Sequence, residues 1–258
     1  MSKSLSWQQP ITDFFADIGE LTLFAKRYFQ ESLSPPFEYK ELMNQCYNMG
    51  NRSILLVGTT GFILGLVFTL QSRPTLLEFG AVAWIPSMVS ISIVREIGPV
   101  IIALICAGRI GSGIGAELGS MKVTEQIDAM EVSGTNPFKF LVVTRIMAAS
   151  LMLPILVIFG DFIALIGSAI VENFKGNVSF QLYFNLVFDA LEFSDLLPAT
   201  IKTFFFGFAI GLVGCYKGYN SNKGTSGVGR ASNQAVVYTS MLLFVLDFIA
   251  VFLTDLFY

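Results

Sequence analysis

The chain is 258 residues long, 53% hydrophobic and only 14% charged, whereas soluble domains run at about 45–50% apolar and about 25% charged. With a mean hydropathy of +0.66 and long runs free of charge, it reads as an integral membrane protein without a sizeable water-soluble domain. The absence of histidine excludes histidine catalysis, histidine-ligated metal and histidine pH switching, and a net charge of -3 without a basic stripe leaves nothing to hold nucleic acid.

The first thirty residues lack a basic segment followed by an apolar core, because Asp13, Asp17 and Glu20 interrupt them, so no cleaved signal peptide is expected. In ITDFFADIGELTLFAKRYFQ, Ile11, Phe14, Phe15, Ile18, Leu21, Ala25, Tyr28 and Phe29 fall near one helical face, and the charged residues lie largely elsewhere. That pattern predicts an amphipathic helix in the membrane interface, the alternative being a soluble helix packed on a partner. Pro35 and Pro36 end the segment.

Between Arg52 and Arg73 lie twenty uncharged residues, SILLVGTTGFILGLVFTLQS, enough to cross about 30 Å of hydrocarbon at about 1.5 Å per residue. A second apolar region, about 79–119, is interrupted only by Arg95, Glu96, Arg109 and Glu117. It is too long for one straight crossing, so a tilted or broken helix is expected, aided by Pro86 and Pro99. Further spans are expected at about 146–171 with Pro154 and Asp161, about 196–216, and about 235–256 with Asp247. Five crossings with a cytoplasmic N-terminus put Lys3, Lys26, Arg27, Lys40, Arg52, Arg109, Lys122, Lys139, Arg145, Lys217, Lys223 and Arg230 inside. Only Arg73 and Lys175 fall outside, with Lys202 near the same edge, and this asymmetry sets the orientation.

Gly111, Gly115 and Gly119 recur every four residues in GRIGSGIGAELGS, with Ser112, Ala116 and Ser120 beside them, and form a small-residue face for close helix packing. The G-x-G-x-x-A spacing in this stretch follows a membrane helix rather than a strand, which argues against a dinucleotide loop. Gly61 with Gly65 and Gly207 with Gly211 repeat the G-x-x-x-G spacing, and such faces also suit a subunit interface. No phosphate-binding G-x-x-x-x-G-K-[ST] loop occurs, so the chain is not expected to hydrolyse ATP, and no catalytic residue is assigned. Cys46, Cys106 and Cys215 are isolated and read as apolar fillers. In KVTEQIDAMEVSGTNP, Thr124 reads as an N-cap, Glu125 as a first-turn acid, and Ser133, Gly134 and Pro137 as a stop. Ile127 and Met130 make an apolar edge, and Glu125, Asp128 and Glu131 an acidic one, the pattern of a docking helix.

The segment REIGPVIIALICAGRIGSGIGAELGSMKVTEQIDAMEVSGTNPFKFLV, residues 95–142, resembles the signature region of the MlaE/YrbE-type permeases, membrane subunits of ABC transporters that work with MCE proteins in lipid movement. The likeness continues in CYKGYN, in GVGRASNQAVVYTS and in Asp247, and covers most of the chain from Arg52 onward. Asn136, Thr144, Ser232 and Asn233 depart from the family's usual residues. The all-α membrane fold read from the spans would then consist of an N-terminal interfacial region over 1–51 and a permease domain over 52–258, with a cytoplasmic coupling helix at about 124–132. The resemblance implies a homodimer in the bacterial inner membrane, cytoplasmic ATPase subunits that bind the ATP, no cofactor or metal in this chain, an MCE-domain protein on the periplasmic face, and phospholipid as cargo. Thr124, Glu125, Gln126, Ile127, Asp128, Met130 and Glu131 would couple to the ATPase. A lipid cavity opening outward at the dimer interface would be walled by Phe68, Leu76 and Phe79, with Arg95 and Glu96 facing it.

Each charge at the centre of a membrane helix costs about 2.5–3.5 kcal/mol on insertion scales. Arg95 and Glu96 are tolerable if they face a wet, protein-lined cavity and pair with each other or with groups on neighbouring helices, and Arg95 also suits a lipid phosphate. An internal ion pair that only fixes helix packing is the alternative. Three other functions fit the residues: a permease for sterol or another apolar cargo, an ion-coupled carrier using Asp161, Glu96 and Asp247, and a non-transporting scaffold.

Overall fold

The computed structural model describes residues 9–221 and 224–257, with side chains for 18–221 and 224–256. Among the described residues it holds helices α1 (Gln9–Ser32), α2 (Tyr39–Glu78), α3 (Val82–Val123), α4 (Gln126–Val132), α5 (Phe138–Gly176), α6 (Phe180–Ala190), α7 (Phe193–Tyr219) and α8 (Thr225–Phe257), and no strand. Five of them, α2, α3, α5, α7 and α8, are long and apolar enough to cross a membrane. Short α4 marks one end of the bundle and α6 the other.

The helices outrun the apolar stretches that define them in sequence. Helix α2 has 40 residues and α3 has 42, each about 60 Å long at about 1.5 Å per residue. Helix α3 is one continuous run, not a broken one. Pro86 sits in a first helical turn, where a missing N–H costs little. Pro99 cannot donate to the carbonyl of Arg95 and its ring crowds that turn; the π turn at Ile93–Ile97 widens the helix just before it. A second π turn spans Ala107–Gly111.

Small residues set the helix contacts. Ser53, Val57, Gly61, Gly65 and Thr69 recur every four residues along the buried stripe of α2. A Cβ on Gly61 would come 2.5 Å from the Gly160 carbonyl oxygen, and one on Gly65 would overlap the Ala164 carbonyl. Since 61 meets 160 and 65 meets 164, α2 and α5 run parallel. Gly207 and Gly211 on α7 press against Ala149 and Ile146, so α5 and α7 run antiparallel. Both G-x-x-x-G pairs thus let backbones touch where dispersion, not the hydrophobic effect, holds helices together. The stripe of Gly111, Gly115 and Gly119 is looser. A Cβ on Gly115 would lie 3.3 Å from the Ala231 carbonyl oxygen of α8, while Gly111 and Gly119 leave 3.6 and 3.4 Å to their nearest neighbours, Ile210 and Ser221.

Ion pairs close both ends. Arg73 reaches the fully buried Glu172 at 2.7 Å near the ends of α2 and α5. Arg145, itself buried, binds Glu117 at 2.8 Å and the Leu141 carbonyl at 3.0 Å. Arg145 therefore belongs to the bundle and not to a loop. At the α6 end the Thr69 and Tyr183 hydroxyls meet Ser168 Oγ at 2.6 and 2.7 Å, tying α2, α5 and α6 together.

Helix α1 docks on its own bundle through Leu21, Phe24, Ala25 and Tyr28. Phe24 meets Phe138 and Tyr216 edge-on, with centroids 5.0 and 5.6 Å apart, and the Arg27 guanidinium lies 4.1 Å over the Phe138 ring. The buried face differs from the predicted one, because Phe24 is inside while Ile18 and Phe29 stay exposed. The side chains of Ile11, Phe14 and Phe15, and the residues Lys3 and Lys223, lie outside the described residues.

Candidate functional site

The π turn at Ile93–Ile97 carries Arg95 and Glu96 on the side of α3 that faces α7 and α8. The two do not pair with each other. Lys202 of α7 stands between α3 and α8, its Nζ 2.7 Å from Glu96 Oε2 and 3.1 Å from Asp247 Oδ1. Arg95 Nε approaches Asp195 Oδ1 at 3.2 Å. Lys202 is nine positions past Phe193, about 14 Å into the helix at about 1.5 Å per residue, so the cluster lies inside the span. Its side chain is 6% exposed, whereas those of Arg95 and Glu96 are each 46% exposed.

Arg95, Glu96, Asp195, Lys202 and Asp255 line an open cavity of about 360 Å³, to which Ile91, Ala250 and Val251 add apolar wall, while Asp247 pairs with Lys202 outside that lining. The volume is within the range of about 300–1,000 Å³ seen for small-molecule sites. Two cations against three carboxylates leave the floor mixed in sign. Arg95 is a half-exposed guanidinium in this lining, and a charged floor under apolar walls suits an amphipathic guest. Asp161 is buried nearby against Gly98, where a side chain would overlap its carboxylate, and its Oδ1 has no hydrogen-bond partner.

The residues proposed from sequence separate into two groups. Arg95 and Glu96 line the cavity. Phe68 and Leu76 instead pack on Ile85, Val89, Ile93 and Ala164, and Phe79 is exposed at the end of α2, so these three share its end of the bundle but not its wall. Sequence reasoning assigned neither Asp195 nor Lys202 to the site, setting Lys202 near the outer edge rather than inside the span, and had Asp247 only as a point of family likeness and a carrier site. The available signal was a lone lysine and a lone aspartate inside two apolar runs.

At the opposite end, α4 hangs beneath the bundle. Ile127 is buried and Met130 packs on the core, which leaves Glu125, Gln126, Asp128 and Glu131 exposed. Asp128 also binds Lys122 at 3.0 Å. Thr124 does not cap α4 as expected. It finishes the preceding helix, its hydroxyl donating to the Ser120 carbonyl at 2.9 Å, and Glu125 makes the reversal in the left-handed region with φ 58°. Asn136 accepts from the Lys139 N–H at 3.2 Å and donates to Glu31 at 2.7 Å, so it starts α5 and ties it to α1.

Five membrane-length helices, three of which (α3, α7 and α8) line an ion-paired, apolar-walled cavity, define a multi-pass membrane protein. The chain matches the family model described as Permease MlaE over residues 42–253. It is 38% identical over 236 residues to a probable ABC transporter permease protein of Rickettsia typhi, covering 92% of this chain and 91% of that one. A probable ABC transporter permease protein of Synechocystis is 31% identical over 247 residues, with 96% and 91% covered. The intermembrane phospholipid transport system permease protein MlaE of Haemophilus influenzae is 30% identical over 243 residues, with 93% and 92% covered. The chain belongs to the MlaE family of ABC transporter permeases, and this sets aside the ion-coupled carrier.

Proposed function

We propose that the chain passes phospholipid between the bacterial inner membrane and an MCE-domain protein on the periplasmic face, as one half of a homodimer driven by cytoplasmic ATPase subunits. The observation that carries this reading is the cluster of Arg95, Glu96, Asp195 and Lys202 on the floor of an apolar-walled cavity at membrane depth, with Asp247 holding Lys202 from outside the lining. A phosphate can exchange with Asp195 for the Arg95 donors while acyl chains lie on the walls, a division of labour that a sterol would not use. The phospholipid named in the Haemophilus influenzae relative supports the same cargo.

The α4 end is cytoplasmic in this reading, because Lys40, Arg52, Arg109, Lys122 and Arg230 collect there. Helix α8 supplies part of the cavity wall and leaves Phe244, Phe248 and Phe252 exposed, so a second copy across α8 would close the open side. ATP stays on the partner ATPase, whose groove receives the acidic edge of α4, while Ile127 and Met130 transmit its movement to the bundle. The test is a mild-detergent pull-down from native membranes with mass spectrometry of polypeptides and lipids. Recovery of an ATPase, an MCE-domain protein and phospholipid is expected. A homo-oligomer without ATPase after gentle crosslinking would overturn the reading.

A further inference from the structure

A groove of about 260 Å³ lies between α2 and α3 toward the α4 end, lined by different residues from the Lys202 cavity. Arg52 and Arg109 line it, both exposed and neither ion-paired among the described residues. The carboxylate in its wall, Glu117, is taken by Arg145 at 2.8 Å, and the Gln45 amide is turned to Glu41 at 2.6 Å. Two guanidinium groups are thus left uncompensated over one groove. Ser53 also lines it, with 1% of its surface exposed and its hydroxyl lacking any hydrogen-bond partner. A buried polar group in that state is costly unless something completes it. At Gly113, which lines the same groove, a Cβ would meet nothing within 4 Å, so the space is open.

Arg52 immediately precedes the twenty-residue apolar run, which sets the groove at headgroup level, and Ile54, Leu55 and Leu56 continue from it as an exposed apolar face. We propose that the groove holds the phosphate of an anionic phospholipid in the leaflet at the α4 end, a second lipid site apart from the Lys202 cavity. The planar donors of Arg52 and Arg109 grip the phosphate oxygens, the Ser53 hydroxyl donates from below, and the acyl chains run along α2. The assignment rests on the proposed function only for the identity of the leaflet, which as the cytoplasmic one is rich in anionic lipid.

The test titrates the purified full chain in lipid-free detergent with phosphatidylglycerol, phosphatidylcholine and inorganic phosphate, counting adducts by native mass spectrometry. Phosphatidylglycerol binds the wild type most tightly, and the R52Q/R109Q variant at least tenfold more weakly. Gly113→Leu fills the groove without touching either charge, favours helix, and gives the same loss. Arg230→Gln, an exposed arginine elsewhere at the same end, changes nothing. Equal binding by wild type and R52Q/R109Q overturns the proposal, and retention in Gly113→Leu overturns its location. Inorganic phosphate binding as tightly as the lipid marks a free-anion site and overturns the lipid assignment. No ATPase or MCE-domain protein takes part, so a failure here and a failure of the transport reading are separate results.

Discussion

Replacing Lys202 with methionine keeps the length of the side chain and removes the charge that holds Glu96 and Asp247 together. Breaking a buried ion pair by deleting one partner costs about 3–5 kcal/mol, chiefly because the other charge is stranded. Here Lys202 is 6% exposed, but the Glu96 and Asp247 side chains are 46% and 20% exposed, so water screens part of the loss. Discounting for that screening leaves an expected destabilisation of about 2–3 kcal/mol. Reversible unfolding of the purified protein in mixed detergent micelles, followed by circular dichroism, reads this directly. The neutral triple variant E96Q/K202M/D247N then recovers to within about 1 kcal/mol of wild type, since uncharged groups of similar shape carry no stranded charge. A Lys202→Met variant within about 0.5 kcal/mol of wild type, the range of ordinary surface substitutions, would refute the reasoning. So would a triple variant no more stable than the single one.

Three further predictions follow from the packing and from α4. Arg73→Met strands the fully buried Glu172 and lowers stability in the same assay by about 3–5 kcal/mol, and Glu172→Gln added to it restores most of the loss. Gly65→Ala forces the α2 backbone away from the Ala164 carbonyl and costs about 1–3 kcal/mol in thermal unfolding, whereas Gly113→Ala, with open space around it, is neutral or slightly stabilising. The double reversal E125K/D128K weakens co-purification of the ATPase at least tenfold, about 1.4 kcal/mol, while loss of the exposed Lys122–Asp128 pair costs the permease no more than about 1 kcal/mol; unimpaired association would remove the acidic edge from the coupling surface.

The five spans are legible because a run of twenty uncharged residues has few alternatives to a membrane helix. Arg95 and Glu96 are legible as site residues for the complementary reason: charge inside such a run demands a partner. The partners themselves are not legible. Lys202, Asp195 and Asp247 lie more than ninety positions away; the first two meet α3 because Gly207, Gly211 and Gly214 bring α7 close to the helices around it, and Asp247 joins through Lys202. Phe68 and Leu76 were assigned by their height along α2, which sequence gives, but the face they turn is set by the Gly61 and Gly65 contact with α5 and points them at Ile85 and Ile93. Thr124 misled because Thr-Glu before an apolar run is the usual opening of a helix, and the left-handed turn at Glu125 moves the start by one residue. Helix α6 went unread because the chain between α5 and α7 carries no span-length apolar run, although Ser179, which accepts from the Leu182 N–H at 3.3 Å, marks its start.

The central claim is that the cavity under Arg95 and Lys202 receives a lipid phosphate. Cryo-electron microscopy of the complex in phospholipid nanodiscs tests it most directly. The account predicts a phosphate within hydrogen-bonding distance of the Arg95 guanidinium, acyl chains against Ile91, Ala250 and Val251, and loss of that density in Arg95→Ala while the complex stays assembled. A lipid-free cavity with Arg95 still held by Asp195, or an Arg95→Ala variant that loses assembly and lipid together, would contradict it.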